Sequence, residues 1–191
     1  MTRDFLTMED IFLKRSLIVI DMQLGSFSPY DARHDAKGVI ARINRLARKV
    51  RAAEGSVIFV QHDGPPGDPH HPDAPGWHLL PELEAYESDL FVRKSACDAF
   101  LHTNLSDHLR SPTDQQLIIT GCATDFCVDT TVRSALAQGY RTIVPSDTHT
   151  TANRPYLSAE KIIEHHNAVW SAFLSPAGPA TVCASSEIAF T

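Results

Sequence analysis

Cysteine is scarce in this chain of 191 residues: four occur, at positions 97, 122, 127 and 183, and no two form a CxxC pair. That spacing leaves neither a thioredoxin-type redox motif nor a zinc ribbon. No apolar run approaches the roughly 20 residues of a membrane span. The amino terminus, MTRDFLTMEDIFLKR, carries acids and lacks the apolar core of about 7–15 residues that a signal peptide needs. Positive charge is also in short supply. Lys and Arg number 17 against 23 Asp and Glu, a net charge of −6, which argues against nucleic acid or an anionic membrane as partner. The densest basic stretch, RINRLARKVR at 42–51, reads as the wet face of a helix. Internal repeats, low-complexity tracts and interdomain linkers are missing too. The expectation is one cytoplasmic domain over residues 1–191, with residues 1–15 as a short arm, reduced thiols and a small-molecule partner.

What is present is an alternation of short apolar runs and helical periodicity. Leu17-Ile18-Val19-Ile20 is a continuous apolar run of the kind buried on both faces of a parallel sheet. Residues from Lys37 to Ala53 carry apolar side chains at helical spacing and stop at Gly55. Further strands are expected at Ser56–Val60, Asp89–Arg93, Leu117–Thr120, Arg141–Val144 and Ala180–Ala184. Helices are expected at Leu79–Leu83, Asn104–Leu109, after Gly121, and at Ser158–Phe173. Between the second strand and Trp77 lies a loop with five prolines and three glycines, long enough to be functional. The pattern is that of an α/β fold: a three-layer Rossmann-like domain around a mainly parallel sheet of about six strands.

The stretch LIITGCATDFCVDTTVRSA at 117–135 is where the chain's organisation converges. It places Cys127 where a strand gives way to a helix, and a helix amino terminus favours a thiolate. A buried, inert packing cysteine explains the same position equally well. Ligands of parallel sheets bind beyond the carboxyl ends of the strands. There the first strand delivers Asp21, the third Lys94 and the fourth Cys127. An acid, an ammonium and a thiol at one edge are the equipment of nucleophilic catalysis. The plain alternatives are a turn cap for Asp21, a solvated strand end for Lys94 and core for Cys127.

Taken together, Asp21-Met22-Gln23, Lys94, Pro-Gly-Trp at 75–77, Gly121-Cys122-Ala123-Thr124-Asp125-Phe126-Cys127-Val128 and Ser-Asp-Thr-His-Thr-Thr at 146–151 carry a resemblance. The sequence resembles the isochorismatase-like cysteine hydrolases, which include nicotinamidases, carbamoylsarcosine amidases and ureidoacrylate amidohydrolases, over roughly Leu17 to Trp170. The resemblance implies Cys127 as nucleophile, Asp21 as base and Lys94 as orienting cation. It also implies a cis peptide between Cys122 and Ala123, with the N–H groups of Ala123 and Cys127 as an oxyanion hole. The activity implied is hydrolysis of a small amide, carbamoyl or ureido bond through a thioester. Hydrolysis of the isochorismate vinyl ether, which does not need the cysteine, and a catalytically silent binding module are the alternatives. Gln23, Phe27, Gln61, Trp77 and Phe126 are expected to wall the pocket.

The nicotinamidase branch of that family holds a metal through Asp-x-His after the second strand. Here the place reads Gln61-His62-Asp63, with His70, His71 and His78 further on, so no metal and no other cofactor is expected. His165 and His166 are assigned to packing or surface, whereas His149, just past a strand end, is left open. A homo-oligomer, dimer or tetramer, is expected from the resemblance and from apolar residues spread widely around the 157–174 segment, Trp170 and Phe173 among them.

Overall fold

The computed structural model describes residues 13–29 and 32–190, so the arm assigned to residues 1–15 lies mostly outside the described residues. The sheet begins with β1 (Lys14–Ile20), whose last four residues are completely buried. Alternate side chains of that strand go to opposite layers. Leu17 and Val19 pack with α1 (Ala36–Ala52), against its stripe Val39, Ile40, Ile43, Leu46, Ala47 and Val50. Ile18 and Ile20 pack on the other face with Val132, Ala135 and Leu136 of α2 (Asp129–Ala137) and Trp170 of α3 (Ala159–Ser171). A strand covered on both faces has no solvent side to mark with polar residues, which is why its sequence runs unbroken rather than alternating. At about 25 cal/mol per Å² of apolar surface, this double burial is the main term holding the layers together.

The remaining strands are β2 (Ser56–His62), β3 (Leu90–Lys94), β4 (Gln115–Cys122), β5 (Arg141–Pro145), β6 (His149–Thr150) and β7 (Thr181–Cys183). Among the described residues the sheet has seven strands in the order β3-β2-β1-β4-β5-β7, and every pairing is parallel. The seventh, β6, was expected as loop. It pairs with Gly121 and Cys122 of β4, beyond the point where β5 has left that strand at Ile118. Strand β4 is accordingly longer than its apolar run. Gly121 continues it at φ +120°, and a Cβ there would lie 2.2 Å from the carbonyl oxygen of Ile20, so the close approach of β1 and β4 requires glycine.

Other expectations change at their edges. Leu79–Leu83 forms no helix: Leu79 bridges Gln23 in antiparallel fashion and the chain then turns at Pro81. The segment at Asn104–Leu109 is a single 3₁₀ turn, Leu105–His108. The helix after β4 starts with a π turn at Thr124–Val128, and Gly139 ends it at φ +86°. Trp170, expected at an interface, is wholly buried within its own chain, and its indole N–H donates to Asp129 Oδ1 at 2.8 Å. No helix among the described residues is long and apolar enough to cross a membrane.

Candidate active site

Between β1 and β4 the strand order changes direction, which opens a crevice at their carboxyl ends. Asp21 follows β1 directly, in the left-handed region at φ +48°, with its N–H on the carbonyl of Val60 at 2.9 Å. A non-glycine residue held there costs backbone energy and is maintained by its surroundings. Lys94 ends β3 and reaches past the end of β2. Its Nζ donates to Asp21 Oδ2 at 2.7 Å, to Cys127 Sγ at 3.2 Å and to the carbonyl of Ala96 at 3.0 Å, which uses all three ammonium protons. Cys127 arrives on the π turn after β4. The three residues assigned from strand ends thus meet at one point. Asp21 Oδ1 is buried without a hydrogen-bond partner among the described residues.

Charge at this point is set by burial and by the pair itself. Burial opposes the charge on Lys94, but Asp21 and Cys127 outweigh it and hold the ammonium above its ordinary range. Burial pushes the Cys127 thiol up, Asp21 adds to that, and Lys94 only partly offsets it. This reverses the lowered thiol expected from the helix amino terminus. At rest the thiol keeps its proton, with a carboxylate and an ammonium beside it. Cys122, wholly buried, is pushed up to about 12 by the same desolvation, so it is an inert thiol.

A pocket of about 210 Å³ opens onto Cys127, walled by Asp21, Ser26, Arg33, His62, His70, Cys97, Cys122, Ala123 and Phe126. Larger cavities exist elsewhere, one of them about 860 Å³, and the four that accompany this pocket have no cysteine in their walls. Of the five residues expected to wall the pocket, Phe126 does. Its exposed ring is capped by the Arg154 guanidinium at 4.9 Å, and Arg154 is in turn held by a bidentate pair to Asp125 (2.7 and 3.0 Å). Gln23, Gln61 and Trp77 stand behind the wall instead. Gln23 Nε2 donates to the carbonyls of His62 and Trp77, Gln61 Nε2 donates to that of Trp77, and the Trp77 indole N–H donates to Asp63. These bonds moor the proline-rich loop to the sheet. Phe27 is buried in the layer of α1.

Ser26, Arg33, His62, His70 and Cys97 were not foreseen as pocket walls. His62 ends β2, so the rule that found Asp21 and Lys94 applied to it equally. The others come from loops whose positions no periodicity announces. His70 is fixed between Asp68 Oδ1 and Ser26 Oγ, each at 3.0 Å. The residues do not suit the metal of the nicotinamidase branch. Gln61 offers no carboxylate, and that of Asp63 is occupied by Trp77 and Arg93, each at 2.7 Å. Among the described residues no three His, Cys, Asp or Glu side chains converge on one ion-sized point. His149 is a buried prop. Its nitrogens bond Thr124 Oγ1 (2.9 Å) and Asn167 Oδ1 (3.0 Å), and it supports the turn that carries Cys127. His166 bonds the carbonyl of Ile162 on its own helix, and His165 is exposed.

The isochorismatase domain family matches residues 15–171. A streptothricin hydrolase of Streptomyces noursei is 35% identical over 141 residues, 74% of this chain and 56% of the relative. A ureidoacrylate amidohydrolase of Variovorax paradoxus is 29% identical over 168 residues, 69% of this chain and 67% of the relative. The chain spans about half the length of the two streptothricin hydrolases it matches, 56% and 51%. Among solved structures, one isochorismatase family protein superposes with a TM-score of 0.79 at 33% identity, covering 89% of this chain and 98% of the other. An isochorismatase of Pseudomonas putida gives 0.79 at 27% identity, covering 92% and 90%.

Proposed function

The chain belongs to the isochorismatase family, and on that premise we propose that it is a cysteine hydrolase cleaving a C–N bond of a small amide, carbamoyl or ureido compound. The observation that carries this reading is the position of Lys94 Nζ, 2.7 Å from Asp21 Oδ2 and 3.2 Å from Cys127 Sγ, both of which line the pocket. Binding alone has no need of an acid, an ammonium and a thiol in mutual contact. The relationship to a ureidoacrylate amidohydrolase supports a ureido or carbamoyl bond as target.

In this mechanism Asp21 takes the thiol proton as the substrate carbonyl approaches, through the carboxylate oxygen that has no other partner. Lys94 holds both the carboxylate and the forming thiolate, so the proton moves without leaving a charge unpaired. The thiolate adds to the carbonyl carbon, and the N–H groups of Ala123 and Cys127 receive the oxyanion. The C–N bond then breaks, the amine leaves with the proton from Asp21, and water hydrolyses the thioester. A raised resting thiol suits this scheme, because the base sits in the same site and works only when the electrophile arrives. Screening amides and ureides for ammonia release, followed by acid quench and intact mass, tests the reading. An acyl adduct on Cys127 and its loss in Cys127→Ala are expected. Turnover by Cys127→Ala at near-native rate excludes the thioester.

A further inference from the structure

We propose that Arg33 forms a carboxylate subsite in this pocket, so that the substrate is a small monoanion: an amide or ureide carrying one carboxylate beyond the scissile bond. This rests on the pocket being the substrate site proposed above. Asp21 is paired with Lys94, and the carboxylates around the mouth are likewise taken: Asp125 by Arg154, Asp63 by Arg93, and Asp68 by hydrogen bonds from His70. The Cys127 thiol is protonated at rest, and burial followed by Lys94 drives His62 toward its neutral form. That leaves the guanidinium of Arg33. It lines the pocket half-buried, with no carboxylate partner among the described residues. After burial, Arg33 is also the strongest influence on the Cys122 thiol, so its charge is felt at the pocket wall.

The hydrogen bonds of Arg33 narrow the class of anion. Its Nε donates to the carbonyl of Ser26 at 2.6 Å, which fixes the plane of the group and uses the side-on face. The end-on fork of Nη1 and Nη2 remains, and two parallel N–H donors match the two oxygens of a carboxylate. A single positive charge balances a monoanion rather than a phosphate dianion. The volume, about 210 Å³, is below the usual range for drug-sized ligands, so the carboxylate and the scissile carbonyl are separated by a short linker. A buried polar site also rejects the analogue that lacks the matching group, because its own donors are then left unpaired.

The test is a ladder of ureidoacetate, 3-ureidopropionate and 4-ureidobutyrate, each beside its carboxamide, titrated calorimetrically into the Cys127→Ala protein. At least one acid is expected to bind roughly ten- to hundredfold more tightly than its carboxamide. Arg33→Gln, added to that background, should collapse the ratio toward one, whereas Arg33→Lys keeps part of it. Thermal unfolding of each variant checks the fold. If no acid exceeds its carboxamide, or if the preference survives Arg33→Gln, the subsite is wrong. Because binding is read without turnover, an acid preference in a protein that hydrolyses neither amides nor ureides would overturn the proposed hydrolysis and leave the subsite standing.

Discussion

Lys94 Nζ and Asp21 Oδ2 stand 2.7 Å apart with the lysine side chain wholly buried and the aspartate only 7% exposed. A buried ion pair contributes little net stability, yet removing one partner strands the other charge away from water. Lys94→Ala is therefore expected to abolish turnover and also to cost about 3–5 kcal/mol of unfolding free energy. The double variant Lys94→Ala/Asp21→Asn should regain much of that stability without any activity. Urea denaturation of both proteins decides it, and equal stability of wild type and Lys94→Ala would contradict the account.

Asp21 raises the Cys127 thiol while Lys94 lowers it, so Asp21→Asn should shift alkylation and catalysis in opposite directions. Hydrolysis should be lost with the base, and iodoacetamide should label Cys127 faster because Lys94 alone now faces the sulfur. In the wild type at neutral pH, Cys127 should react more slowly than exposed Cys97, and faster as pH rises. Peptide mapping of the labelled sites measures all three. Slower labelling of Cys127 in Asp21→Asn would refute the charge assignment.

His149 is held neutral by burial, which lowers its pKa from 6.5 to about 4. The unfolded chain takes up that proton below pH 6.5 and the native chain does not. The stability His149 contributes is thus complete above pH 6.5 and falls as pH drops from 6.5 toward 4, by about 3 kcal/mol over the window. His149→Gln should be less stable at pH 7 but show a flatter acid slope. Denaturant midpoints at half-unit pH steps give both slopes, and parallel slopes would mean that His149 does not titrate on unfolding.

Gln61 has no carboxylate and Asp63 is committed to Trp77 and Arg93, so the end of β2 offers no free carboxylate where the nicotinamidase branch has its metal ligand. Hydrolysis is expected to survive exhaustive dialysis against a chelator. Stoichiometric metal, with activity lost on its removal and regained on its return, is the contrary result.

Self-association remains our proposal, carried by the ends of the 157–174 segment rather than by Trp170. With Trp170 enclosed, the exposed apolar residues in the same part of the chain are Tyr156, Leu157 and Leu174, the first and last almost fully accessible. Light scattering coupled to size exclusion should give a multiple of 21.1 kDa at micromolar concentration; the monomer mass would end the proposal.

Much of the architecture was legible because a parallel sheet writes its strands as unbroken apolar runs. Leu17–Ile20 and Leu117–Thr120 are central strands in sequence and in space. The meeting of Asp21, Lys94 and Cys127 was legible for the same reason, since each follows or ends a strand. Other features were not. His149–Thr150 is too short to show periodicity and pairs only because β5 stops early on β4. Gln23, two residues past Asp21, and Trp77, in the long loop after the second strand, looked like pocket walls, but hydrogen bonds turn them toward the loop. The helix terminus beside Cys127 pointed to a lowered thiol, whereas burial and Asp21 act the other way and are properties of the assembled site.

The lysine of the site ends the strand at one edge of the sheet. Among the described residues, β3 has five residues and a single neighbour, β2, while Asp21 and Cys127 extend from strands paired on both sides. Edge strands open by fluctuations that leave the centre intact. The Lys94 ammonium therefore answers to a local equilibrium, distinct from the one that keeps the chain folded. On the proposed mechanism, a variant that loosens β3 from β2 would lose activity before the chain unfolds.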